Sequence, residues 1–176
     1  MRLFIAFEVP PEVHEILLSA QNDIQTADAK LKPAKSFHLT LKFLGEVEEK
    51  AVPELKQRLE KVRFEPFKAR AEGIGVFPSE DYIRVVWAGL QPEKRIISLQ
   101  SMIDRSLEGM FPKEKNFKPH LTLARVRYVD DKEKFVQKIR STGIMSPEFT
   151  VKSFSLIKST LTKQGPVYEK IQSYPR

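Results

Sequence analysis

The tetrapeptide His-Leu-Thr-Leu occurs twice, at residues 38–41 and 120–123, 82 residues apart in a chain of 176. These copies hold two of the chain's three histidines. A repeat at about half the chain length implies an internal duplication, or two lobes related by a pseudo-twofold axis. On a strand, residues i and i+2 share a face. His38 and Thr40 then point together, as do His120 and Thr122, while Leu39, Leu41, Leu121 and Leu123 turn the other way into a core. Two such strands facing each other across a groove would offer one small anion two imidazoles and two hydroxyls.

That set suits phosphodiester chemistry. A neutral imidazole takes a proton from water, and an imidazolium gives one to a departing oxygen, because the ordinary histidine pKa lies near ~6.5. Threonine hydroxyls can donate to the non-bridging oxygens of a phosphate. Metal binding is the competing chemistry, and it needs three or four ligands. The chain has no cysteine, no HExxH spacing and only two histidines in the repeated setting. No cofactor or metal is therefore expected. There is no GxSxG motif, and Gly73 and Gly75 form only a GxG inside an expected strand, so neither a serine nucleophile nor a glycine-rich nucleotide loop is indicated. His14, beside Val13 in an expected helix, reads as a surface or boundary residue, and Trp87 as a core residue.

Composition narrows the setting. Hydrophobic residues make up 41% of the chain, enough for a packed fold, and the formal charge of +7 suits anionic partners, nucleic acid or a membrane surface, or equally a solvated surface of lysines and glutamates. Without cysteine there is no disulfide framework. The opening MRLFIAFEVPPE lacks a long apolar region and a cleavage site, so it reads as a first strand. A cytoplasmic protein with no membrane partner is expected, and a monomer.

Hydrophobic periodicity predicts strands over 2–9, 36–44, 66–77, 83–90, 119–128, 148–161 and 166–172, the last two joined by a turn at Gly165-Pro166. It predicts helices over 11–26, 48–63, 92–110 and 130–141. Interleaved in this order, they predict an α+β fold of mainly antiparallel sheets with helices on the outer faces. No Pro/Gly/Ser-rich linker divides the chain, so residues 1–176 are expected to form one domain, either compact or of two small lobes that share a core.

With these residues in place, the chain resembles the two-histidine phosphoesterases, and within them the RNA 2',3'-cyclic phosphodiesterases, also called 2'-5' RNA ligases or the LigT-like group. The resemblance runs through RLFIAFEVP, FHLTLKFLGEV, GVFPSEDYIRVVWAGL, FKPHLTLARV and LIKSTLTKQGPVYEKI. It implies a bilobal fold with both motifs lining a central cleft. It also implies hydrolysis of RNA 2',3'-cyclic phosphate ends, of tRNA halves among others, to 2'-phosphomonoesters without ATP or metal. The two motifs are too alike for the residues to order donor and acceptor; the resemblance implies His38 as donor and His120 as acceptor. It also implies that Thr40 and Thr122 hold the phosphate, that Arg125 contacts phosphate or nucleotide, and that Phe43 can stack on a base.

Strict alternation puts Phe43 and Arg125 on the leucine face, so they reach the cleft only where each strand twists or bulges. Core packing is the alternative for Phe43, and a surface ion pair for Arg125. Lys42 keeps the His38 face on the same alternation and is expected either to add charge to the cleft or to lie exposed at its rim. Two other functions remain open: ATP-independent 2'-5' joining of RNA ends at the same site, and non-catalytic RNA binding through basic residues such as Lys113, Lys115 and Lys118.

Overall fold

The computed structural model describes residues 1–175. Two antiparallel sheets form its frame. The first has the order β3-β1-β8-β9, built from β1 (Arg2–Glu8), β3 (His38–Glu46), β8 (Phe154–Thr162) and β9 (Gly165–Tyr174). The second has the order β2-β6-β5-β4-β7, built from β2 (Ala29–Pro33), β4 (Phe67–Ser79), β5 (Tyr82–Gln91), β6 (His120–Val129) and β7 (Phe149–Val151). Four α-helices accompany them: α1 (Pro11–Asp23), α2 (Val52–Leu59), α3 (Glu93–Ser106) and α4 (Lys132–Ser141). This is the expected α+β class.

Local chemistry accounts for the helix starts. Pro11 opens α1 and Pro53 lies in the first turn of α2, where a missing N–H costs nothing. Asp131 caps α4 by accepting the Lys134 backbone N–H at 3.1 Å. The stripes Val13, Leu17, Ala20 on α1 and Ile96, Leu99, Ile103 on α3 are buried in one core that both sheets share. Leu39, Leu41, Leu121 and Leu123 enter the same core and are almost fully buried, each contributing roughly 1.5–3 kcal/mol.

Sequence halves and sheets do not coincide. β2 and β4 come from the first half but lie in the second sheet, where they flank β6 and β5. β8 and β9 come from the second half and extend the first sheet from β1. Each half thus lends strands to the other, which locks the two motif strands into one body.

The helices repeat this exchange. Gln21 of α1 donates to the carbonyls of Ala34, just before β3, at 2.9 Å and of Leu123 in β6 at 2.7 Å. Asp104 of α3 receives Lys42 of β3 at 2.5 Å and the Glu114 N–H, ahead of β6, at 3.0 Å. In both cases a buried polar side chain ties the approach to one motif strand to the body of the other. Burial alone would push the Asp104 carboxyl up; hydrogen bonds from Lys42, Gln100 and the Glu114 N–H outweigh it and hold the group below the ordinary carboxylate value.

The expected elements are present, with the helix expected over 48–63 reduced to α2 behind a 3-10 turn at Glu49–Ala51, and with three differences among the strands. β2 is an addition: Ala29–Pro33 alternates apolar residues with two lysines over only five residues, too short a run to stand out, and it lies at the outer edge of its sheet. The single strand expected over 148–161 is two, β7 and β8, which belong to different sheets. The closing turn falls on Lys163 and Gln164, and Gly165, with φ +117°, begins β9. No helix among the described residues is long and apolar enough to cross a membrane.

Candidate active site

His38 and His120 are the first residues of β3 and β6, and Thr40 and Thr122 follow on the same faces, all half-buried. The intervening leucines are buried, as alternation requires. The threonine hydroxyls have no hydrogen-bond partner among the described residues.

Alternation then breaks in both strands at the same place. On β1, Ala6 pairs with Thr40 and Ile5 with Lys42, so Leu41 is an extra residue. On β5, Trp87 pairs with Thr122 and Val86 with Ala124, so Leu123 is the extra residue. A one-residue bulge reverses the facing of everything beyond it. Leu41 and Lys42 both turn inward, as do Leu123 and Ala124, and Phe43 and Arg125 return to the histidine face. Phe43 is 71% exposed, which disposes of the core alternative, and its ring lies 6.3 Å from Phe4. Arg125 is exposed and makes no ion pair among the described residues.

The same bulge overturns the expectation for Lys42. It is neither a cleft charge nor a rim residue but is 4% exposed, with its ammonium on Asp104 and on the Pro112 carbonyl at 2.7 Å. Simple alternation fails because the bulge lies between Thr40 and Lys42 and turns the lysine into the core.

Aromatic rings floor each half of the site. His38 lies tilted over Phe4 at 5.2 Å and meets Tyr168 of β9 edge-on at 5.2 Å. A hollow of about 350 Å³ beside it is lined by Phe4, Glu8, Phe37, His38, Tyr168 and Lys170, among others. His120 meets Phe77 edge-on at 4.9 Å and Trp87 at 6.3 Å. Trp87 is therefore not a plain core residue: it is half-buried beside His120, with the Lys118 ammonium 5.9 Å from its ring centre. Its indole lies flat on Gly75, where an added Cβ would come within 2.3 Å of the ring. His14 is half-buried with its ring edge-on to Phe37, in keeping with a boundary place.

The two imidazoles differ in state. His120 Nδ1 lies 2.7 Å from the Lys118 carbonyl. A carbonyl only accepts, so Nδ1 carries the proton and Nε2 keeps a free lone pair. Burial holds His120 below the ordinary imidazole value, and the Lys118 hydrogen bond offsets this in part. Burial likewise holds His38 low; the Glu8 carboxylate opposes the shift, and the charge of His120 adds to it. The strands that carry the two rings, β3 and β6, belong to different sheets and are in contact with each other. No cluster of three or more His, Asp or Glu that could hold a metal ion occurs among the described residues.

Sequence reasoning missed Phe4, Glu8, Phe77, Tyr168 and Lys170. Glu8 and Phe4 were legible as alternate residues of the first strand, had that strand been paired with the His38 strand. Tyr168 and Lys170 sit on β9, whose place beside β8 no local pattern reveals.

A family model described as LigT like Phosphoesterase matches residues 7–87 and 89–168, two stretches that each contain one histidine motif. An RNA 2',3'-cyclic phosphodiesterase of Methanocaldococcus jannaschii is 35% identical over 176 residues, covering 99% of this chain and 100% of that protein. One from Thermotoga maritima is 34% identical, covering 96% and 92%. Among solved structures, one from Thermus thermophilus superposes with a TM-score of 0.82 at 32% identity, covering 98% of this chain and 96% of that one. Escherichia coli LigT complexed with 3'-AMP gives 0.76 at 26% identity with the same coverage.

Proposed function

The chain belongs to the LigT-like phosphoesterase family, and on that premise we propose that it hydrolyses RNA 2',3'-cyclic phosphate ends to 2'-phosphomonoesters by acid–base catalysis between His38 and His120. The observation that carries this reading is that the two motif strands, from different sheets, lie in contact with each other and carry the same bulge after the same threonine.

The free Nε2 of His120 takes a proton from a water molecule, whose oxygen attacks phosphorus. The bond from phosphorus to the 3' oxygen breaks, and protonated His38 gives that oxygen its proton. Attack and departure are roughly in line, so base and acid belong on opposite sides of the phosphorus. Thr40 and Thr122 donate to the non-bridging oxygens, and the exposed Arg125 guanidinium pairs with the same phosphate or the next one. Phe43, standing out from the surface, offers a ring for the terminal base. The names of the relatives support the substrate, and the hydrogen bond from His120 to Lys118 supports its role as acceptor.

The test is an oligonucleotide ending in a 2',3'-cyclic phosphate, incubated with the purified protein in EDTA, with the product phosphate located by phosphorus NMR. A 2'-phosphate is expected. A 3'-phosphate, or turnover that depends wholly on added metal, contradicts the mechanism; joined RNA ends in place of hydrolysed ones would assign the reverse reaction.

A further inference from the structure

The two motifs are too alike to say which histidine gives the proton, but their strand partners differ. In the β1–β3 ladder the residue opposite His38 is Glu8. In the β5–β6 ladder the residue opposite His120 is Gly89. Nothing larger fits there: a Cβ on Gly89 would stand 2.6 Å from the Glu72 carbonyl oxygen. One half of the site therefore carries a carboxylate beside its imidazole, and the backbone of the other half forbids one.

Glu8 also has a partner of its own. Lys170 of β9 donates to its carboxylate at 2.7 Å, and both residues line the hollow that His38 opens on. They also line a second hollow of about 490 Å³ beyond, so the ion pair stands in the wall between the two. The titratable or charged groups facing His38 are Glu8 from β1, Lys170 and Tyr168 from β9, and His120 from β6. Among these, only Glu8 favours the imidazolium.

We propose that Glu8 is a positioning residue that biases His38, rather than His120, toward the role of proton donor, and that Lys170 sets how strongly it does so. The role rests on the phosphodiesterase reading; the pairing of Glu8 with His38 does not. Because Glu8 is 59% exposed in this pair, its hold on His38 is screened and its effect is one of tuning.

The imidazole resonances of His38 and His120 are titrated by NMR in the wild type, Glu8→Gln, Glu8→Asp and Lys170→Met, and kcat/KM for the cyclic-ended oligonucleotide is measured across pH in the same proteins. Glu8→Gln lowers the His38 titration point and leaves His120 in place. Its kcat/KM falls about threefold on the alkaline side and little on the acid side. Glu8→Asp restores most of this, and Lys170→Met moves both readouts the opposite way. Added to His38→Ala, Glu8→Gln changes nothing further.

An unmoved His38 titration, or one matched by His120, overturns the proposal. So does a rise in kcat/KM at every pH in Glu8→Gln, which would mean that Glu8 only repels the substrate. A shifted His38 titration without turnover in any variant, wild type included, would instead overturn the enzymatic reading and leave the pairing standing.

Discussion

Strand β3 presents Lys42 and Phe43 beyond its bulge, where β6 presents Ala124 and Arg125. Up to that point the strands are nearly interchangeable, with histidine and threonine outward and leucines inward. In the proposed mechanism, equal geometry carries the parts that a symmetric task needs, two proton-transfer groups and two hydroxyls around one anion. On the same proposal, the departures assign what the task needs only once: a ring for a base on one side, a cation for phosphate on the other, and a carboxylate beside one histidine alone. The repeated motif supplies the frame, and in the proposed mechanism the mismatched positions divide the labour.

The largest effects test the symmetric part. His38→Ala and His120→Ala are each expected to lower kcat on a cyclic-ended oligonucleotide by roughly 10²–10⁴-fold, and the double variant by far less than the product of the two, because the residues act as a unit. A single variant near wild-type rate would break the equivalence of the strands.

Next come the two polar ties. Asp104→Ala leaves the Lys42 ammonium buried without its carboxylate, and about 3–5 kcal/mol of stability is expected to go in urea unfolding. Gln21→Ala removes hydrogen bonds to two backbone carbonyls, with an expected loss of about 1–3 kcal/mol. Similar losses would mean that the charge on one side adds nothing to the shared design.

Much of this was legible in the sequence. The repeat located the histidines and threonines, and hydrophobic periodicity located the four helices and most strands. What escaped is what depends on partners. A bulge is a mismatch between two strands, so neither Leu41 nor any other residue of β3 alone announces that Lys42 turns inward. The exchange of β4 and β8 between sheets, and the edge placement of the charged β2, are fixed by tertiary packing over long separations. Tyr168 and Lys170 reach His38 only through that exchange.

Smaller differences sharpen the contrast beyond the bulge. Arg125→Ala is expected to lower kcat/KM about tenfold and to weaken its dependence on salt, whatever the terminal base. Phe43→Ala is expected to cost about 1–2 kcal/mol in binding, with the loss varying with the stacking strength of the base. If both variants gave the same salt and base dependence, the division between ring and cation would fail.

The smallest effect is on stability against pH. Both imidazoles sit below their ordinary value in the folded chain. Below about pH 6.5 the unfolded chain takes up protons that the folded one refuses. The stability contributed by these groups is therefore full above that pH and is lost as pH falls toward the folded values; denaturation midpoints should show a decline on the acid side that shrinks in His38→Ala. The same depression places both limbs of the kcat/KM bell on the acid side of about pH 6.5.

The claim on which all of this depends is that both imidazoles meet one phosphate. A dinucleotide ending in a 2'-phosphate, the expected product, can be titrated into the protein while the His38 and His120 ring resonances are followed together. Both should shift along one saturation curve with a single Kd, and His38→Ala should weaken the response at His120. Movement of one ring alone, or two curves with different midpoints, would contradict it.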